Sequence, residues 1–324
     1  MDTRDCVATI YNERSNFIIV GLTGRTGSGC SEAASILESA NFEDLNLKVP
    51  KNQDYHSKDE RKYKIIYDYA KSNWNQFYVL RMSDVIFSFL LPYKLEELNE
   101  IFTAIVPSWP KEIMEKVIKD SDFAELYNAA HESFMKLRTS DNTLLRDNEE
   151  QLSEEYALIS TIRNLHSTFK QIASKYSCQT TVNIQKEEKE ITANAYSCLW
   201  QNMGNIIRRE GDVKTATSDS KNMFHLARRA NDFIKAIRNR NKKLKQYTLI
   251  CIDAFRNPYE AQYFQDRYSA FYLISINTED SERRRRLGYL TNEQIMSLDT
   301  LEYPGKLDGI NKFTNQNIAA CIEL

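Results

Sequence analysis

The sequence is poor in the residues that interrupt helices, with nine glycines and six prolines in 324 positions. That scarcity favours a helix-rich fold. The charges nearly cancel, at a net −2, so composition supplies no general attraction to nucleic acid or to an anionic membrane surface. No apolar run approaches the ~20 residues of a membrane-spanning helix. The N-terminus, MDTRDCVATIYNERSN, is too polar for a signal peptide, and the expected location is the cytoplasm. The six cysteines (Cys6, Cys30, Cys178, Cys198, Cys251, Cys321) include no C-x-x-C pair, and the four histidines are scattered. The sequence therefore indicates neither a disulfide framework nor a zinc site.

What glycine there is gathers in one place: Gly21, Gly24, Gly27 and Gly29 fall within nine residues. The apolar, β-branched run Phe17-Ile18-Ile19-Val20 leads into them, as a buried strand would. Ala33-Ala34-Ser35-Ile36-Leu37 follows them as a helix. Strand, glycine loop and helix are the context of a phosphate-binding loop, in which backbone N–H groups and a helix N-terminus face an anion. Gly24 to Ser31 matches the Walker A spacing G-x-x-x-x-G-K-[ST] except that Cys30 stands at the lysine position. The expected phosphate cradle is Gly24, Arg25, Thr26, Gly27, Ser28, Gly29, Cys30 and Ser31, with the Ser31 hydroxyl a candidate ligand of Mg²⁺. A thiol at a helix N-terminus is expected to be more acidic than a free cysteine.

Residues 1–16 read as a leader before the first strand. Asp59 to Ser72 has helical apolar spacing, and Phe77 to Leu80 reads as a second strand ending at Arg81-Met82-Ser83-Asp84. Polar residues at the end of such a strand lie where α/β sheets place ligand contacts, which makes Arg81 and Asp84 substrate-binding candidates; a surface ion pair or a helix cap is the competing reading. Residues 88–185 read as a helical insertion, with helices expected over 95–105, 112–119, 123–137 and 152–172 and breaks at Pro107 and Pro110. A lid, a substrate cover and an oligomer interface all suit such a layer.

A helix is expected over 186–209, ending in CLWQNMGNIIRREGD, where Arg208-Arg209 lies between Gly204 and Gly211. That pair reads either as a solvated helix end or as an anion-contacting element. A basic helix over 222–240 precedes the strand TLICID, whose terminal Asp253 is placed to hold Mg²⁺ as a Walker B acid does. Residues 270–276, AFYLISI, form the next expected strand, and Arg283 to Arg286 follow it as a solvated charge run or an arginine lid over phosphate. A last helix is expected over 313–324.

The segments FIIVGLTGRTGSGCS, CLWQNMGNIIRREGD and LICIDAFRNPYEAQYF together resemble the deoxynucleoside monophosphate kinases of the P-loop class, on Gln201, Gly204, Arg208, Asp253, Arg256 and Glu260. With ERKYKIIYDYAKSNW and FYVLRMSDVIFSFLL they look more closely like the N-terminal kinase-like part of bacterial deoxycytidylate deaminase-type proteins linked to phage defence. The resemblance spans roughly residues 17–324 and is weakest in the helical stretch. It implies an α/β, P-loop kinase-like fold with a mostly parallel sheet, a bound nucleoside triphosphate such as ATP, and Mg²⁺ held by Ser31 and Asp253. Taken with the readings above, it makes Asp253, Arg256 and Arg283 the catalytic candidates and Arg81, Asp84, Arg208 and Glu260 the substrate-contact candidates. In that family a zinc deaminase domain follows the kinase-like part. Its signature H-x-E…P-C-x-x-C is absent here, so the resemblance implies a deaminase-type effector carried on a longer chain or by a separate partner. A homo-oligomer through an open sheet edge is a further expectation. A thiol cannot follow phosphate charge into a transition state as lysine does. The leading expectation is thus a nucleotide sensor, and the alternative an active kinase using ATP.

Overall fold

A computed structural model describes residues 16–50, 57–138, 149–184, 187–214, 220–303, 309 and 311–324. The expected leader falls almost wholly outside them. The molecule is α/β. Its main sheet contains β1 (Phe17–Thr23), β2 (Tyr78–Arg81), β5 (Thr248–Phe255) and β6 (Phe271–Ser275) in the order β2-β5-β1-β6, all parallel. The two central strands are buried along nearly their whole length. This is why they read as continuous apolar runs rather than as an alternation. β6 forms one edge, and there Tyr272 and Ile274 are exposed.

One pairing is irregular. Gly21 lies opposite Ile252 and Thr23 opposite Phe255, so Asp253 and Ala254 together face Leu22. Ala254 takes φ 70°, a left-handed backbone that costs a non-glycine residue about 1–2 kcal/mol. The bulge bends the strand where it carries its acidic residue.

After β1 and the glycine loop comes α1 (Cys30–Leu37), and α2 (Lys58–Asn73) matches the helix expected at 59–72. α2 buries none of its side chains, and Ile65, Ile66 and Tyr69 are exposed. β2 runs directly into α3 (Met82–Phe87), then α4 (Leu98–Ile105), α5 (Lys111–Lys119), α6 (Ser121–Leu137) and α7 (Glu149–Ala173). The helical stretch expected to reach residue 185 ends earlier, because Ser177–Ile184 is a strand. The helices themselves match those expected over 95–105, 112–119, 123–137 and 152–172, with Pro107 and Pro110 between α4 and α5. Their apolar stripes meet in one core holding Phe87, Phe102, Tyr127, Phe134 and Phe169, each such burial contributing about 1.5–3 kcal/mol.

The expectation of a helix from residue 186 is corrected. Ser177–Ile184 (β3) and Glu187–Asn194 (β4) form an antiparallel two-stranded ribbon, and the helix, α8, covers Ala195–Glu210. Asn194 caps it by accepting from the Ser197 N–H at 3.1 Å. α9 (His225–Lys243), α10 (Pro258–Arg267), α11 (Asp280–Arg286), α12 (Asn292–Glu302), α13 (Asn311–Thr314) and α14 (Ile318–Ile322) complete the chain. The single helix expected over 313–324 is instead α13 and α14, broken where the Asn317 N–H donates to the Arg256 carbonyl at 2.7 Å. Among the described residues no helix is long and apolar enough to cross a membrane.

Candidate functional site

The glycine loop joins the C-terminal end of β1 to the N-terminus of α1. Gly29 is the N-cap with φ 106°, a conformation that favours glycine. A Cβ on Gly24 would stand 2.4 Å from the Ile276 carbonyl oxygen, so the loop closes against backbone there. No side chain caps α1. Its first N–H groups therefore keep the partial positive charge that suits an anion.

β5 brings Asp253 to this loop. The Ser31 Oγ donates to Asp253 Oδ2 at 3.1 Å, while Asp253 Oδ1 is buried with no hydrogen-bond partner among the described residues. Burial pushes the Asp253 carboxyl above its ordinary range, against the opposing effects of Ser31, Arg81 and Arg256. An orphaned carboxylate oxygen beside a serine hydroxyl fits a hard divalent cation that keeps most of its waters, as Mg²⁺ does. Among the described residues no three His, Cys, Asp or Glu side chains converge as a metal cage.

Two cavities meet here. The smaller, about 300 Å³, is walled by the loop from Gly24 to Glu32, apart from the buried Ser28, together with Ala254, Arg256 and Arg286. The larger, about 750 Å³, shares Thr26, Ser31, Ala254 and Arg256 with it and extends past Asp253, Arg81, Arg208, Trp200 and Gln201. The structure thus brings the loop, Asp253, Arg256, Arg81 and Arg208 to one connected space. Arg286 joins them: its Nη1 pairs with Glu32 at 3.0 Å beside Gly29.

Other expected contacts are placed differently. Asp84 is buried and accepts from His166 Nδ1 at 2.5 Å. The Trp200 indole N–H donates to His166 Nε2 at 2.6 Å, and the Tyr196 hydroxyl lies 2.8 Å from the same nitrogen. An indole can only donate, so Nε2 accepts and Nδ1 carries the hydrogen given to Asp84. Asp84 therefore orients the aromatic wall of the larger cavity through His166. Glu260 is buried against Arg208, taking Nε at 2.8 Å and Nη2 at 3.3 Å. It fixes that guanidinium rather than lining the cavity. Arg283 is 3 % exposed, pairs with Asp299 at 2.6 and 3.0 Å, and donates to the Thr26 carbonyl at 2.7 Å. It braces the loop from behind, because α11 turns its buried face there and leaves Arg286 at the mouth. Arg81 is partly engaged, donating to Glu38 at 3.0 Å.

The expectation of an acidified Cys30 is corrected. Burial pushes its thiol up, and the Asp253 and Glu302 carboxylates add to that, outweighing the Ser28 hydrogen bond and Arg256. The helix N-terminus does not win against the loss of solvent around the thiol, to which the two acids add.

Sequence reasoning missed Glu302. This fully buried carboxylate accepts from the Thr26 N–H at 3.0 and 3.2 Å, from the Thr26 hydroxyl and from Arg256 Nη1. Burial disfavours the Arg256 charge, but Glu302 more than offsets this, with Cys30 and Asp253 adding, and holds the guanidinium above its ordinary value. His166, Tyr196 and Trp200 were also missed as a group. The one available signal was the aromatic density around CLWQ.

No protein-family model, no curated protein and no solved structure matches this chain.

Proposed function

We propose that the chain is a P-loop, kinase-like nucleotide-binding protein that holds a nucleoside triphosphate at the glycine loop with Mg²⁺ and acts as a sensor for a deaminase-type effector. The observation that carries the reading is the unpartnered Oδ1 of Asp253 beside the Ser31 hydroxyl, at a loop whose helix N-terminus is uncapped. The backbone N–H groups of Gly27, Gly29, Cys30 and Ser31 would hold phosphate oxygens, while that of Ser28 donates to the Arg25 carbonyl at 2.9 Å. Ser31 and Asp253 would hold Mg²⁺, which when bound neutralises phosphate charge. Arg81 and Arg208 would meet a second anionic group in the larger cavity, Arg208 with its orientation set by Glu260. Cys30 supplies no charge to a transferring phosphoryl group, so ground-state binding outlasts transition-state stabilisation.

An active deoxynucleoside monophosphate kinase is the second reading. Its support is that Arg256 and Arg286 both line the smaller cavity and offer positive charge where lysine is missing. Thermal unfolding with millimolar Mg²⁺ and ATP, GTP or each deoxynucleotide tests the common claim, since a ligand of the folded state raises the midpoint. A rise that is lost in Gly29→Arg supports it; unchanged midpoints across the whole set refute it. Phosphoryl transfer from ATP to a deoxynucleoside monophosphate would replace the sensor reading with the kinase.

A further inference from the structure

We propose that Glu302 is an internal anion that holds the Thr26 and Arg256 donors beside the phosphate cradle and must be displaced before a polyphosphate is fully seated. The inference rests on the nucleotide reading and adds a regulatory element to that same site.

The Glu302 carboxylate gathers a backbone N–H, a hydroxyl and a guanidinium, all from residues that line the cavities: the first two from Thr26 and the third from Arg256. Arg256 is partly committed as well, because its Nη2 donates to Thr26 Oγ1 at 3.0 Å and its Nη1 also meets Gln316 Oε1 at 3.5 Å. These donor types are the ones a phosphate oxygen uses. A carboxylate and a phosphate cannot both take the single hydrogens of the Thr26 N–H and hydroxyl, and two anions crowded at one guanidinium repel.

The position of Glu302 makes its release readable elsewhere. It is the last residue of α12, and Gln294, Ser297, Leu298 and Leu301 of that helix line the larger cavity. α12 is tied to the loop a second time, through Asp299 and Arg283 to the Thr26 carbonyl. Its far end reaches the β3–β4 ribbon, where Gln294 donates to the Thr192 carbonyl. Displacement at Thr26 therefore loosens a helix that spans from the glycine loop to the ribbon. A structural brace would make the opposite demand, with a bound anion tightening around Glu302 rather than expelling it.

The test uses the full chain and inorganic tripolyphosphate with Mg²⁺ as the probe, which removes any base contribution. Calorimetric titration of the wild type, Glu302→Gln and Glu302→Ala is paired with amide hydrogen exchange over 292–302 in the wild type. The gate is supported if Glu302→Gln binds about tenfold tighter or better, a coupling of ordinary allosteric size, and if saturation speeds exchange in 292–302. Equal or weaker binding by folded variants, or slower exchange in 292–302, overturns it and leaves the nucleotide reading standing. Should both variants fail to fold, the exchange result on the wild type decides alone. Absence of tripolyphosphate binding by the wild type and every folded variant removes the gate and the nucleotide reading together.

Discussion

Arg208 and Glu260 form a buried, two-point ion pair across α8 and α10, at 2.8 and 3.3 Å. Both residues stand out in the sequence as possible substrate contacts, yet only Arg208 lines a cavity. Removing one partner of such a pair leaves an uncompensated buried charge, a loss of about 3–5 kcal/mol. Glu260→Ala is therefore expected to unfold at a markedly lower denaturant midpoint. Replacing both residues with apolar side chains of matched volume should recover much of that loss. A small effect of Glu260→Ala on the midpoint would show that the pair is not shielded from water.

Asp253→Asn should separate stability from binding. Because burial raises the Asp253 pKa above the ordinary carboxyl value of 3.8, the folded state holds a proton that the unfolded state has already released in the window just above 3.8. Stability is lost as pH rises through that window, and the penalty is complete above the folded pKa. The neutral amide escapes it. At neutral pH the variant is expected to melt above the wild type without ligand. Its affinity for Mg²⁺-nucleotide should fall by at least the roughly 10–100-fold that follows loss of a metal-orienting group. A lower melting point, or unchanged Mg²⁺ dependence, would make Asp253 a packing residue.

Cys30 should alkylate slowly. Burial and the neighbouring carboxylates raise its pKa, so the pH–rate curve should still be climbing at the ordinary thiol value of 9.0. Bound nucleotide should slow the reaction further by covering the loop. A curve that levels off below that value would show that the N-terminus of α1 prevails after all.

Ala254→Gly is expected to stabilise the protein by about 0.5–1 kcal/mol, since glycine takes a left-handed backbone without the Cβ penalty. Denaturant titration measures it. If stability falls, the positive φ carries no penalty and the bulge is held by its surroundings.

Much of the architecture is legible in the sequence because its signals are local. β1, β2, β5 and β6 are short apolar runs, and the glycines of the loop announce a turn of restricted geometry. The β3–β4 ribbon escapes notice for a physical reason: EEKEITAN has too little apolar content to mark a strand and leads straight into the helical pattern of α8. The site was half visible. Ser31 and Asp253 are named by the ends of their elements, but which arginines face the cavity depends on packing. Arg283 and Arg286 differ only by which side of one turn they occupy, and the sequence treats them alike. Glu302 carries no motif at all; its meaning comes from Thr26, 276 residues away. The thiol of Cys30 was misjudged because the burial that chiefly raises its pKa, and the two acids from β5 and α12 that add to it, come from tertiary packing.

The strand order β2-β5-β1-β6 also governs the order in which the molecule can be assembled during synthesis. Thr23 of β1 finds its hydrogen-bond partner, the Phe255 carbonyl, only 232 residues later. At a translation rate of about 5–20 residues per second, β1 waits roughly 10–50 s for β5. The helices α4 to α7 complete their short-range contacts within that interval. The glycine loop, which leaves the ribosome directly after β1, thus cannot complete its contacts until β5 and then Glu302 of α12 have been made.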